Sequence, residues 1–104
     1  MNDLLKDAFD SGDTSRLAAR IVEDLRTAGV RVEDPDSRSP WLDNDDRAAL
    51  LTVSASAVAD DLPASPMRIM LQRHFASVSF RGRYCTGGNL ASVARTLLAS
   101  QASA

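Results

Sequence analysis

The sequence predicts an all-α fold, a small bundle of five or six helices built as one helical domain over residues 1–104, on three observations. Apolar residues recur at helical spacing in four separate stretches, centred on Leu17 to Leu25, Leu51 to Leu62, Met67 to Val78 and Leu90 to Leu97. Capping and breaking residues (Asp13 or Thr14, Gly29, Pro63, Pro66, Asn89) stand between those stretches. A length of 104 residues fits one small core and argues against a second domain. A short two-stranded element from residues 30–32 and 77–85 is compatible with the bundle, and the alternative architecture is α+β and winged-helix-like.

Each element follows from local chemistry. Leu4, Leu5, Ala8 and Phe9 behind Asn2 and Asp3 predict a two-turn helix that ends near Ser11 and Gly12. From Thr14 to Ala28 the residues Leu17, Ala18, Ile21, Val22, Leu25 and Ala28 form one stripe, with Gly29 placed where a left-handed C-terminal residue is needed. Val30, Arg31 and Val32 read as a short extended piece, followed by the polar, twice proline-broken loop 33–40. Asp43, Asn44, Asp45 and Asp46 suit the positive end of a helix dipole, which predicts a helix to about Asp61 that buries Leu51, Ala55, Val58 and Leu62. Pro63 closes it. Ser65 and Pro66 then open another helix carrying Met67, Met70, Leu71, Phe75 and Val78, and Asn89 opens the last, with Leu90, Val93, Ala94 and Leu97 inward. Within this frame Leu17, Ile21, Leu25, Leu51, Val58, Leu71, Phe75, Val93 and Leu97 are the expected core.

Composition narrows the classes of function. Hydrophobic residues at 44% and charged residues at 25% are globular averages, and no apolar run reaches membrane-spanning length, so no membrane partner is expected. The acidic opening stretch is unlike a secretory signal, which predicts a cytoplasmic protein. Eleven arginines against one lysine suggest a GC-rich coding genome, bacterial or phage. Cys85 is the only cysteine and His74 the only histidine, so an internal disulfide and a cysteine-based zinc cage are excluded. Cys85 could act as a nucleophile only if a base and an orienting group converged on it. Neither a metal site nor a cofactor is expected: the run of aspartates at 43–46 lacks the glycine and terminal glutamate of a calcium loop. An enzyme is not expected either.

Charge is segregated along the chain. All fourteen acids and seven of the bases lie between Asp3 and Asp61, a net −7, whereas residues 62–104 hold five arginines and no acid, a net +5. Such a layout serves either an oppositely charged partner or pairing between the two halves of one fold. The densest part, SFRGRYCTGGNLASVARTLL at 79–98, alternates with period two up to Cys85 and then meets Gly87, Gly88 and Asn89 before a helix. It matches neither the phosphate-binding loop, for want of a lysine, nor the dinucleotide glycine pattern, and reads as a turn with an asparagine cap.

Residues 57–75, AVADDLPASPMRIMLQRHF, place Ala59, Leu62, Ala64, Ser65 and Ile69 at spacings that resemble a DNA-reading helix-turn-helix. Pro63 stands where that turn usually has glycine, and Gln72 where a core residue is usual. The resemblance implies a recognition helix at 66–75 with Arg68, Gln72 and Arg73 outward, joined by Arg81 and Arg83 in a basic wing. Two functions are therefore expected in order. The first is a non-catalytic protein-interaction or adaptor module, open to self-association, whose partner-binding residues are Arg68, Arg73, Arg81 and Arg83. The alternative is a regulator that binds double-stranded DNA through Arg68, Gln72, Arg73, Arg81 and Arg83 within residues 57–85.

Overall fold

The structure, a computed structural model, describes residues 2–33, 40–59 and 61–102. Two helices, α1 (Asn2–Ser11) and α2 (Ser15–Thr27), lead into six strands, β1 (Val30–Glu33), β2 (Trp41–Asp43), β3 (Ala48–Ala57), β4 (Ser65–Gln72), β5 (Phe75–Phe80) and β6 (Arg83–Gly87). Helix α3 (Leu90–Ala102) follows. The strands form one antiparallel sheet in the order β1-β3-β4-β5-β6, and β2 pairs with β3 on the same side as β1. The edge lane beside β3 is thus shared by β1 and β2, and β4 occupies the middle lane.

This overturns the all-α bundle. Where helices are expected at 43–61 and 66–78 stand strand β3 and, for the second, β4, the turn after it and the start of β5, and three helices are described, not five or six. The physical reason lies in period. In β3 the residues Ala49, Leu51, Val53, Ala55 and Ala57 alternate with Leu50, Thr52, Ser54 and Ser56, and the first set is buried. Leu51 and Ala55 satisfy a helical and a strand spacing equally. Val53, Thr52 and the run of serines favour the strand through β-branching and weak helix propensity. In β4 the same ambiguity hides Met67, Ile69 and Leu71 behind Met70 and Phe75; the first three are at most 2% exposed, the other two half-buried on the opposite face.

The acidic run is not a helix start. Asp43 Oδ1 accepts from the backbone N–H of Asp45 at 3.0 Å and of Asp46 at 3.3 Å, closing the β2–β3 turn, and Arg47 completes it with φ 51°. The two-stranded element expected from 30–32 and 77–85 is also corrected: both segments contain strand, but β1 pairs with β3, while β5 and β6 pair with each other across the sheet. Their period-two alternation runs through a two-residue turn, in which Arg81 and Gly82 take φ 51° and 75°, the left-handed pair of a tight hairpin. The part of the loop at 34–39 lies outside the described residues.

Two sequence expectations hold, and the cap of α2 falls on Thr14, which makes no side-chain capping bond. α1, α2 and α3 form where predicted. Asn89 Oδ1 accepts from the N–H of Ser92 at 3.0 Å and caps α3. Ahead of α2, Asp13 Oδ1 accepts from the N–H and hydroxyl of Ser15 at 3.0 and 2.8 Å, and these bonds, with the nearby Arg16 charge, hold the Asp13 carboxyl below its ordinary range.

All described helices lie on one face of the sheet. Leu17, Ile21 and Leu25 of α2 and Leu90, Val93, Ala94 and Leu97 of α3 share a core with Val53, Met67, Ile69, Val78 and Phe80 from the strands. α1 contributes Leu5 and Ala8 to it, and the Arg47 guanidinium stacks 4.5 Å from the centre of the Phe9 ring, tying α1 to the β2–β3 turn. Two expected core residues are not in it. Val58 is 57% exposed beyond the end of β3, and Phe75 faces the side without helices.

Candidate functional site

The face of the sheet opposite the helices is a continuous surface defined by register. One row crosses all five lanes through Trp41, Leu50, Met70, Ser77 and Thr86, directly opposed pair by pair. The next row holds Thr52, Arg68, Ser79 and Tyr84. Beyond the first row lies the pair Gln72 and Phe75; beyond the second, Ser54 faces Pro66 on one side and Glu33 on the other. Trp41 on one edge and Tyr84 on the other are 64% and 66% exposed. Between them the floor is made of half-buried Leu50 and Met70 and of small hydroxyl residues. Aromatic, methionine and arginine side chains are the types that anchor protein interfaces, and here they ring a face that no described helix covers.

Arg68 stands in the middle lane of this face, exposed. The other arginines expected to bind a partner are not beside it. Arg73 sits in the β4–β5 turn at the end of the sheet near α1, where with Asp3, Lys6, Phe9 and His74 it lines a shallow hollow. Arg81 and Arg83 lie in the β5–β6 hairpin at the far end; Arg81 donates to the Pro63 carbonyl at 3.3 Å and stacks on Phe80, and Arg83 donates to Ser100 Oγ of α3 at 3.3 Å. The four arginines thus occupy three places, and Gln72 donates to the Asp46 carbonyl at 3.1 Å. The recognition helix implied for 66–75 is corrected to strand β4 with the turn after it, so Arg68, Gln72 and Arg73 are not offered on a helix.

The ion pair seen among the described residues joins Arg20 to Asp24 within α2 at 3.0 Å, and none of Arg68, Arg73, Arg83 and Arg95 contacts a carboxylate there. The groups considered for chemistry do not converge. Cys85 is registered with Val78, four residues along β5 from His74 and so on the order of 13 Å away. Among the described residues no cluster of three or more His, Cys, Asp or Glu could hold a metal ion, and no helix is long and apolar enough to cross a membrane.

Sequence reasoning missed Trp41, Leu50, Met70 and Tyr84 as a surface. The signal was available in part, since Ser77 to Tyr84 alternate; their partners across the sheet required the register. No known protein family, curated protein sequence or solved structure matches the chain.

Proposed function

We propose that the protein is a non-catalytic protein-interaction module that holds its partner on the open face of the sheet. The observation that carries this is the row of Trp41, Leu50, Met70, Ser77 and Thr86, over which no described helix lies, with exposed Arg68 in the adjoining row. Five lanes at about 4.8 Å, each offering about five residues at roughly 3.3 Å, make a face on the order of 400 Å². A partner covering it buries on the order of 1,000 Å² in total, the scale of transient protein contacts.

Charge selects the kind of partner. A second copy stacked face to face about a two-fold axis through the middle lane would bring Arg68 against its own counterpart, and like charges in that position oppose docking. A different protein that sets a carboxylate among apolar residues meets Arg68 with the opposite sign. The single free Cys85 suits a reducing compartment, which favours the cytoplasm for this role.

The test is site-specific photo-crosslinking in the host cell, with the crosslinker at Ser79 on the open face or at Glu23 on the exposed side of α2. A single discrete protein adduct is expected from Ser79 and none from Glu23. With that partner purified, Arg68→Glu combined with Trp41→Ser should weaken binding at least about tenfold while leaving the melting temperature within a few degrees. Equal adducts from both positions, or salt-sensitive binding to duplex DNA without a protein adduct, would refute the proposal.

A further inference from the structure

A second surface lies at the end of the sheet away from α1. There the turn into β1, the chain leaving β3, the β5–β6 hairpin and the last turns of α3 enclose an open groove of about 750 Å³. Its floor is apolar: Ala28, Val58, Leu62 and Leu98. Val58 and Leu62, each 57% exposed, are two of the four large hydrophobic residues that the described surface leaves open. Such residues gathered in one place mark a contact site more than scattered ones do.

The rim of the groove is cationic. Arg83 from β6 and Arg95 from α3 line it together with Arg81, and no carboxylate is among its described lining residues. Both Arg83 and Arg95 are exposed, and the one hydrogen bond of Arg83 among the described residues, to Ser100 Oγ, is long at 3.3 Å. Two exposed guanidinium groups beside an apolar trough complement a ligand that carries apolar and anionic groups on one side.

The exposure of the floor decides between ligand classes. Small-molecule pockets cover most of their ligand. A hydrocarbon chain laid on Val58 and Leu62 would stay largely wet here. Duplex DNA would use the arginines and leave the apolar floor in water. An amphipathic segment of a protein uses both, its apolar side chains resting on the floor and its carboxylates reaching the rim.

We propose that this groove binds an acidic amphipathic segment of a partner protein, with apolar anchors on Val58, Leu62 and Leu98 and carboxylates paired to Arg83 and Arg95. The groove is separate from the open sheet face, so it stands or falls independently of the function proposed above. Fluorescence anisotropy of the intact protein tests it with a panel of labelled helical peptides bearing leucine at i, i+3, i+4 and i+7. One set carries glutamate at the remaining positions, one carries lysine, and one has the acidic composition with the leucines scattered.

The acidic amphipathic peptides should bind, more weakly as salt rises, while the lysine and scattered sets bind at least about tenfold more weakly. Arg83→Glu, Arg95→Glu and Val58→Asp should each reduce binding by a similar factor, whereas Arg68→Glu on the open face should change nothing. Melting curves separate lost binding from lost folding, and for any variant that melts early, Arg95→Gln with chemical-shift mapping onto Val58 and Leu98 replaces it. No binding by any acidic peptide, binding indifferent to the groove variants, or full displacement of the peptide by a single-chain fatty acid would overturn the proposal.

Discussion

Two phenylalanines five residues apart separate what a residue's neighbours do from what its spacing suggests. Phe75 and Phe80 both follow apolar patterns, yet Phe80 is 1% exposed beneath the helices and Phe75 is half-buried on the open face. Phe80→Ala should therefore cost about 3–5 kcal/mol, and Phe75→Ala clearly less, since truncation at a half-exposed site leaves no closed cavity. Urea denaturation of the two variants checks this; equal costs would show that the open face is covered. Seven of the nine expected core residues, from Leu17 to Leu97, were legible because a buried position is apolar in a helix and in a strand alike. Val58 and Phe75 were not, because their exposure depends on where β3 ends and on which face of β5 the helices choose.

At the scale of elements, legibility followed the punctuation. Gly29 and Asn89 mark real boundaries, and so the helices flanking the sheet could be read directly. Gly29 has φ 95°, its N–H donates to the Arg26 carbonyl at 3.0 Å, and its own carbonyl accepts from Val58 N–H at 2.9 Å, so one residue ends α2 and fastens β1 to β3. Gly29→Ala should lose about 1–2 kcal/mol, the cost of placing a side chain in the left-handed region. The cause is the backbone and not crowding, since the added Cβ would sit an ordinary 3.9 Å from Leu98. Thermal unfolding measures it, and an unchanged midpoint would mean that the turn relaxes freely. Strands β3 and β4 were misread because Pro66 and Asp43–Asp46 are as much at home at a strand's start and a turn as at a helix's start. A strand's partners lie far along the chain, and Ala49 meets Leu71 only in the folded sheet.

For the whole molecule, one-sidedness is the property from which both surfaces follow. Six strands with every described helix on one face leave Trp41, Arg68 and Tyr84 to solvent on the other. The same layering ends in the groove, which Arg83 of β6 and Arg95 of α3 both line although twelve positions apart in sequence. Charge segregation was visible in the sequence, but its geometry was not, because successive strands carry neighbouring arginines to opposite ends of the sheet. Arg73 and Arg81 mark those two ends.

The measurement that tests one-sidedness most directly is side-chain NMR of the isolated protein in the presence of a soluble paramagnetic gadolinium chelate, read along residues 65–72. Relaxation enhancement is predicted to alternate with period two, strong at Pro66, Arg68 and Met70 and weak at Met67, Ile69 and Leu71, with strong enhancement also at Trp41 and Tyr84. Enhancement recurring every three to four residues would restore the helix and remove the sheet, and uniform protection of Arg68, Trp41 and Tyr84 would show a covered face and remove the binding surface.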